Sequence, residues 1–169
     1  MTGTFSNYHC PRWEELPTLA LYMDQVLIVI QEAVGSLMPE DGSTATATMI
    51  NNYVKMKAIP PTEKKKYNRE HIARLIMITI LKRVLSVSEI IFVMEQINGP
   101  EGFGKGYNDF CQKLEEGLCG WQNKEGRTAE ELTVLSAAVY ALAGKLAFED
   151  EMRRIKGSDI KDSGEVGDK

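Results

Sequence analysis

Histidine is nearly missing from this 169-residue chain, which holds two against 24 acidic and 20 basic residues. His9 and His71 stand alone, and no serine or cysteine lies in a recognisable nucleophile setting, so no constellation for catalysis is assembled. Cysteine is scarce as well. Cys10, Cys111 and Cys119 are odd in number and lack a C-x-x-C pair, which argues against a zinc site and for reduced thiols in a cytosol. The acidic pairs Glu14-Glu15, Glu115-Glu116 and Glu130-Glu131 are adjacent in sequence, so on a helix each pair diverges and reads as a solvated face. No long apolar run exists: the longest, near Leu75 to Leu81, is interrupted by Thr79 and falls short of the ~20 residues a membrane span needs. The N-terminus shows no basic region followed by an apolar stretch, so no secretory signal is read. These absences predict a cytoplasmic protein that is not an enzyme, with no catalytic residue, cofactor, metal or membrane segment.

What is present is an ordinary soluble composition, 43% hydrophobic and 26% charged, with one unusual distribution of charge. Between Thr44 and Arg83 stand nine Lys or Arg (55, 57, 64, 65, 66, 69, 74, 82 and 83) against Glu63 and Glu70, a net +7. The remainder of the chain therefore holds 11 basic against 22 acidic residues, a net −11. A basic block inside an acidic protein suggests a polyanion-facing surface. The plainer reading is a solvated helix face followed by a lysine turn.

Hydrophobic spacing organises the chain as helices. Pro11 to Pro17 reads as a short arm in which Trp13 and Leu16 can pack. From Thr18, Leu19, Tyr22, Met23, Val26, Leu27, Ile30, Val34 and Leu37 form one helical stripe, ended by Gly35, Pro39 and Gly42. Thr46 or Thr48 can cap a second helix. Its inner side carries Met49, Ile50, Tyr53, Val54 and Met56, and its outer side shows Asn51, Asn52, Lys55 and Lys57. Ala58 ends it, because Pro60 disfavours helix at Ile59. Pro61 to Tyr67 is then a tight lysine-tipped hairpin or an irregular turn. Asn68 caps a helix over Arg69 to Leu85 that is apolar nearly all round and hence central. Ser86-x-x-Glu89 opens the next helix, to about Ile97. Asn98 to Gly106 is a break, Tyr107 to Leu118 an amphipathic helix, and Gly120 to Gly126 a loop. Thr128-x-x-Glu131 opens a last helix, ended by Gly157. Its apolar seam (Leu132, Leu135, Val139, Leu142 and Leu146) suits intramolecular packing as well as a dimer, with the dimer slightly favoured. The expected fold is all-α.

Gly99 to Lys105 spells G-x-x-x-x-G-K, but Gly106 stands where a phosphate-binding loop needs Ser or Thr, and a helix precedes it instead of a strand. It reads as an interhelical loop.

The order helix, helix, short wing, buried helix, capped helix resembles the winged helix-turn-helix of the MerR regulators. The residues that carry it are Met49-Ile50-Asn51-Asn52-Tyr53, Ala58-Ile59-Pro60, Lys64-Lys65-Lys66-Tyr67 with Asn68-Arg69-Glu70, then Ile72, Arg74, Leu75, Ile78 and Leu81, and Ser86 to Ile90. The family arginine of the second helix falls here on Asn51, its tyrosine partner on Asn52 and its glycine turn on Lys57, which reassigns phosphate contacts to Lys55 and the lysine wing. A longer stretch, roughly Pro11 to Gln96, with PRWEELP, LYMDQV, MINNYVK, KKKYNREH and S-x-x-E-I, closely resembles the bacterial family called domain of unknown function 1836.

The resemblance implies a MerR-like helix-turn-helix domain over residues 8–97. A C-terminal helical hairpin over 107–157 would follow, offering a homodimer seam through 128–156, and a flexible tail over 158–169. The function it implies is a transcriptional regulator binding double-stranded DNA. Thr46 to Lys57 would enter the major groove, with Thr46 and Thr48 at its head and Asn51 and Asn52 as adenine readers. Lys55, Lys64, Lys65, Lys66 and Arg69 would hold phosphates and Tyr67 would brace the wing. The alternative is a non-catalytic protein-interaction or small-ligand-binding helical module that does not bind DNA.

Overall fold

The computed structural model describes residues 7–38, 44–122 and 134–162. Six helices account for most of them: α1 (Met23–Val34), α2 (Ala47–Lys55), α3 (Arg69–Leu81), α4 (Val87–Ile97), α5 (Phe103–Gln122) and α6 (Val134–Asp162), with short 3₁₀ turns at Trp13–Glu15 and Gly35–Leu37. The fold is all-α, and pairing among the described residues is limited to two isolated antiparallel bridges, Leu21 with Tyr67 and Glu63 with Lys66.

The chain divides into two compact units, Met1–Asn123 and Lys124–Lys169. The first is built around α3. His71, Ile72, Ala73, Leu75, Ile76, Met77, Ile78 and Thr79 are all buried, so this helix keeps no wet face and needs cover on every side. α1 packs along it, α4 and α5 close two other sides, and α2 rests on α1. The one hydroxyl in its centre, Thr79, donates to the Leu75 carbonyl at 2.7 Å, which removes an otherwise unpaired buried donor. Asn68 caps its start by accepting from the His71 N–H at 3.1 Å. The His71 ring returns the bond, Nδ1 facing the Asn68 N–H at 3.1 Å and Nε2 facing the Pro60 carbonyl at 3.1 Å. His71 is thus structural, fixing the proline turn to the head of α3.

The arm docks by contacts that span about a hundred residues of sequence. Trp13 meets Phe103 and Tyr107 edge-on, at centroid distances of 6.4 and 6.5 Å. Arg12 forms a two-pronged ion pair with Glu115, at 2.8 and 2.6 Å. The Cys10 N–H also reaches Glu115, at 2.7 Å. The buried Cys111 thiol donates to the Pro11 carbonyl at 3.7 Å, and its interaction with the buried Cys10 thiol pushes the Cys10 pKa up and draws that of Cys111 down.

Several boundaries differ from the sequence reading. α1 begins at Met23, not near Thr18, because the Leu21 N–H and carbonyl pair with Tyr67 at 2.9 and 2.8 Å; Leu19 is 77% exposed as a result. Met49 and Met56 lie on the flank of α2 and are exposed, leaving Ile50 and Tyr53 as its buried pair. α3 stops at Leu81, and Val84 is exposed in the turn that follows. Glycines 104 and 106 lie inside the first turn of α5, not in a break. A Cβ on Gly104 would stand 2.9 Å from the Trp13 ring, and one on Gly106 would stand 2.1 Å from the Ile97 carbonyl oxygen. These positions are glycine because α5 approaches the arm and the end of α4 too closely for a side chain. α5 continues through Gly120 to Gln122, where a loop was expected, and Cys119 within it is exposed.

In the second unit α6 runs through Gly157 to Asp162. Gly157 therefore does not end it, and the helix takes in the first residues assigned to a tail. Leu142 and Leu146 are 57% and 52% exposed. Residues 1–6 and 39–43, the Thr128 capping box, and tail residues 163–169 lie outside the described residues. So do the side chains of Leu132, Leu135 and Val139. No described helix is long and apolar enough to cross a membrane.

Candidate nucleic-acid interface

α2 starts at Thr46, whose Oγ1 accepts from the Met49 N–H at 3.3 Å; the cap is Thr46 and not Thr48. From there Thr48, Asn51, Asn52 and Lys55 recur at i, i+3, i+4 and i+7, which places them on one stripe opposite Ile50 and Tyr53. All four are exposed. None of the four side chains has a hydrogen bond or ion pair among the described residues. The helix closes in a Schellman arrangement: the Lys57 N–H reaches the Val54 carbonyl at 3.0 Å and the Ala58 N–H reaches the Tyr53 carbonyl at 2.9 Å. Lys57 itself takes φ 60°, a position where glycine is usual. This is the site on which the expected glycine turn falls.

The lysine turn is a hairpin. The Lys66 N–H donates to the Glu63 carbonyl at 2.9 Å, and the two central residues, Lys64 and Lys65, have φ of 49° and 60°. Positive φ at both central positions is the type I′ pattern, which favours Asn-Gly and strains other residues. Lys64 and Lys65 are exposed with no side-chain partner among the described residues. Lys66 is half-buried, its Nζ 5.0 Å from the Tyr22 ring centroid.

The expected brace is buried, and one expected phosphate contact is otherwise engaged. Tyr67 is buried, only 4% exposed, with its ring edge-on to His71 at 5.7 Å. Burial raises its pKa, and its part is to brace the hairpin from beneath. Arg69 lays its guanidinium 5.7 Å from the Trp13 ring, and its Nε is buried without a partner; its charge is turned to the arm. Three more cations of the basic block serve the fold. Arg74 binds Glu70 at 2.8 Å, Lys82 donates to the Thr44 carbonyl at 2.9 Å, and Arg83 donates to the Leu37 carbonyl at 2.7 Å. Burial lowers the Lys82 pKa. The unclaimed cations are thus Lys55, Lys57, Lys64 and Lys65, fewer than the net +7 of the block suggests.

Tyr22, which covers Lys66, and Leu21, which pairs with Tyr67, were missed as supports of the hairpin. Tyr22 continues the apolar stripe of α1 and Leu21 lies off it, so helical spacing gave no signal of either role. Among the described residues no group of three or more His, Cys, Asp or Glu could hold a metal ion.

These observations define an all-α protein whose first unit presents a polar helix stripe and a strained cationic hairpin. The family model described as Domain of unknown function (DUF1836) matches residues 11–110, and the chain belongs to that family. No curated protein and no solved structure matches the chain.

Proposed function

We propose that the protein is a DNA-binding transcriptional regulator with a MerR-like winged helix-turn-helix, α2 serving as the recognition helix and the Glu63–Lys66 hairpin as the wing. The observation that carries this reading is the hairpin tip. Two lysines occupy backbone conformations that cost each of them free energy, and their ammonium groups face solvent unpaired. Strain retained at a charged tip points to use of the tip. The unpaired Asn51 and Asn52 amides on the exposed stripe suit adenine edges, and Lys55 suits a phosphate. Tyr67 supports the wing from beneath, and Arg69, turned to the Trp13 ring, is left out of the phosphate contacts. The exposed Leu142 and Leu146 of α6 fit a homodimer seam through 128–156, which sedimentation equilibrium would read as a doubled mass.

Fluorescence anisotropy with random duplex DNA at two salt concentrations tests the proposal. Binding in the ~10⁻⁴–10⁻⁶ M range that weakens with salt is expected. Alanine at Lys64, Lys65 and Lys66 together should weaken binding to every sequence and flatten the log–log salt slope by up to about 3. Wild-type affinity in that variant would remove the wing assignment, and no binding at low salt would end the regulator reading.

One observation favours a non-catalytic interaction module instead: Arg69, Arg74, Lys82 and Arg83 are spent within the fold, while the chain outside the block carries a net −11. Failure of DNA binding at low salt selects this second reading.

A further inference from the structure

Lys57 and Glu95 are charged residues that neither the fold nor the proposed interface uses. They stand on the rim of one cleft of about 360 Å³, near the small end of the roughly 300–1,000 Å³ range of ligand pockets. Its walls are apolar: Val54 from α2, Ile59 and the two prolines after it, and Ile91 from α4. The walls are pinned in place. Ile59 is 1% exposed, and its N–H reaches back to the Tyr53 carbonyl at 3.4 Å. The Pro60 carbonyl is held by His71 at 3.1 Å. Arg74 also lines the cleft, but Glu70 meets its charge at 2.8 Å. That leaves one unmatched cation and one unmatched anion on the rim. Lys57 and Glu95 do not pair with each other, and neither side chain has another partner among the described residues. Lys57 moreover sits where glycine would relieve a φ of 60°, so a charged side chain is kept there against backbone preference.

We propose that this cleft binds a free apolar α-amino acid, with its carboxylate on Lys57, its ammonium on Glu95 and its side chain against Ile59, Pro60 and Ile91. A zwitterion with an apolar body matches the two charge signs and the apolar walls. A simple carboxylic acid would leave Glu95 facing nothing, and a simple amine would leave Lys57 so.

Isothermal titration calorimetry on the full chain, without DNA, tests this. The probes are L-leucine and L-phenylalanine, with 4-methylpentanoic acid and isoamylamine as leucine analogues lacking the ammonium and the carboxylate respectively. Saturable binding of at least one amino acid is expected, with the analogues of leucine about tenfold or more weaker than leucine if leucine binds. Lys57→Met keeps the same backbone strain and removes the charge, and Glu95→Gln keeps the shape. Each should lose about tenfold or more in affinity at unchanged thermal midpoint. No saturable heat with either amino acid up to about 10 mM overturns the proposal. So do analogues that bind as tightly as leucine, or variants that bind as wild type. The DNA titration is separate, so either reading can fail alone.

Discussion

Lys64 and Lys65, like Lys57, occupy left-handed backbone positions that suit lysine poorly. A left-handed conformation costs an ordinary L-residue about 1–2 kcal/mol, and Asn-Gly is the pair that a type I′ turn prefers. Replacing Lys64→Asn with Lys65→Gly should therefore raise stability by about 1–2 kcal/mol in urea denaturation, after allowing for the extra freedom glycine gives the unfolded chain. The same double variant should bind DNA more weakly, because two unpaired ammonium groups are gone. At this scale the helix caps were readable: Thr46, Asn68 and Ser86 each accept the expected backbone N–H. The positive φ of the lysines was not readable, because lysine carries no preference that announces it. Nor was the loss of Arg69, Lys82 and Arg83 to internal contacts, since a charge count does not see where side chains go.

Helix α5 shows what elements add. Gly106→Ala would drive a methyl group to 2.1 Å from the Ile97 carbonyl oxygen, and should cost about 1–3 kcal/mol as an overpacked contact. Gly117 lies in the same helix with nothing within 4 Å of a built Cβ, so Gly117→Ala should stabilise by about 0.8–1 kcal/mol. Thermal melts of the two variants should move in opposite directions. Equal shifts would show that α5 does not approach α4 as described. The glycine-rich 98–106 stretch read as a break because, in sequence, glycine that ends a helix and glycine that lets a helix pass closely look the same. α1 was overextended for a related reason: Leu19 and Tyr22 continue its apolar period, yet Leu21 is claimed by a backbone pairing with Tyr67, forty-odd residues away.

For the molecule as a whole, the all-α class and the family were legible, because helical periodicity and the arm and hairpin motifs are local. The division after Asn123 was not, since it depends on α5 joining the first unit through the arm. That joint should be acid-sensitive. The Arg12 guanidinium holds the Glu115 carboxyl below its ordinary pKa of 4.5, with the Cys10 N–H and His9 adding to the effect. A depressed folded pKa means that the contribution is fully present above about 4.5 and is lost as pH falls through the folded value. Thermal midpoints should thus decline below pH 4.5 in the wild type and decline less in Glu115→Gln. At pH 7 that variant should lose about 1–2 kcal/mol, between an exposed ion pair and a buried charged hydrogen bond.

The same joint sets a clock on the chain's synthesis. Cys10 and Arg12 meet Glu115 across separations of 105 and 103 residues, and Tyr107 meets Pro11 across 96. At roughly 5–20 residues per second, translation leaves the arm without its dock for about 5–20 s. During that interval Trp13 and Leu16 have no α5 to cover them, and the first helices must gather round α3 unaided. A ribosome-stalled chain ending before Phe103 would therefore carry an undocked arm, open to protease, and release of α5 would close it.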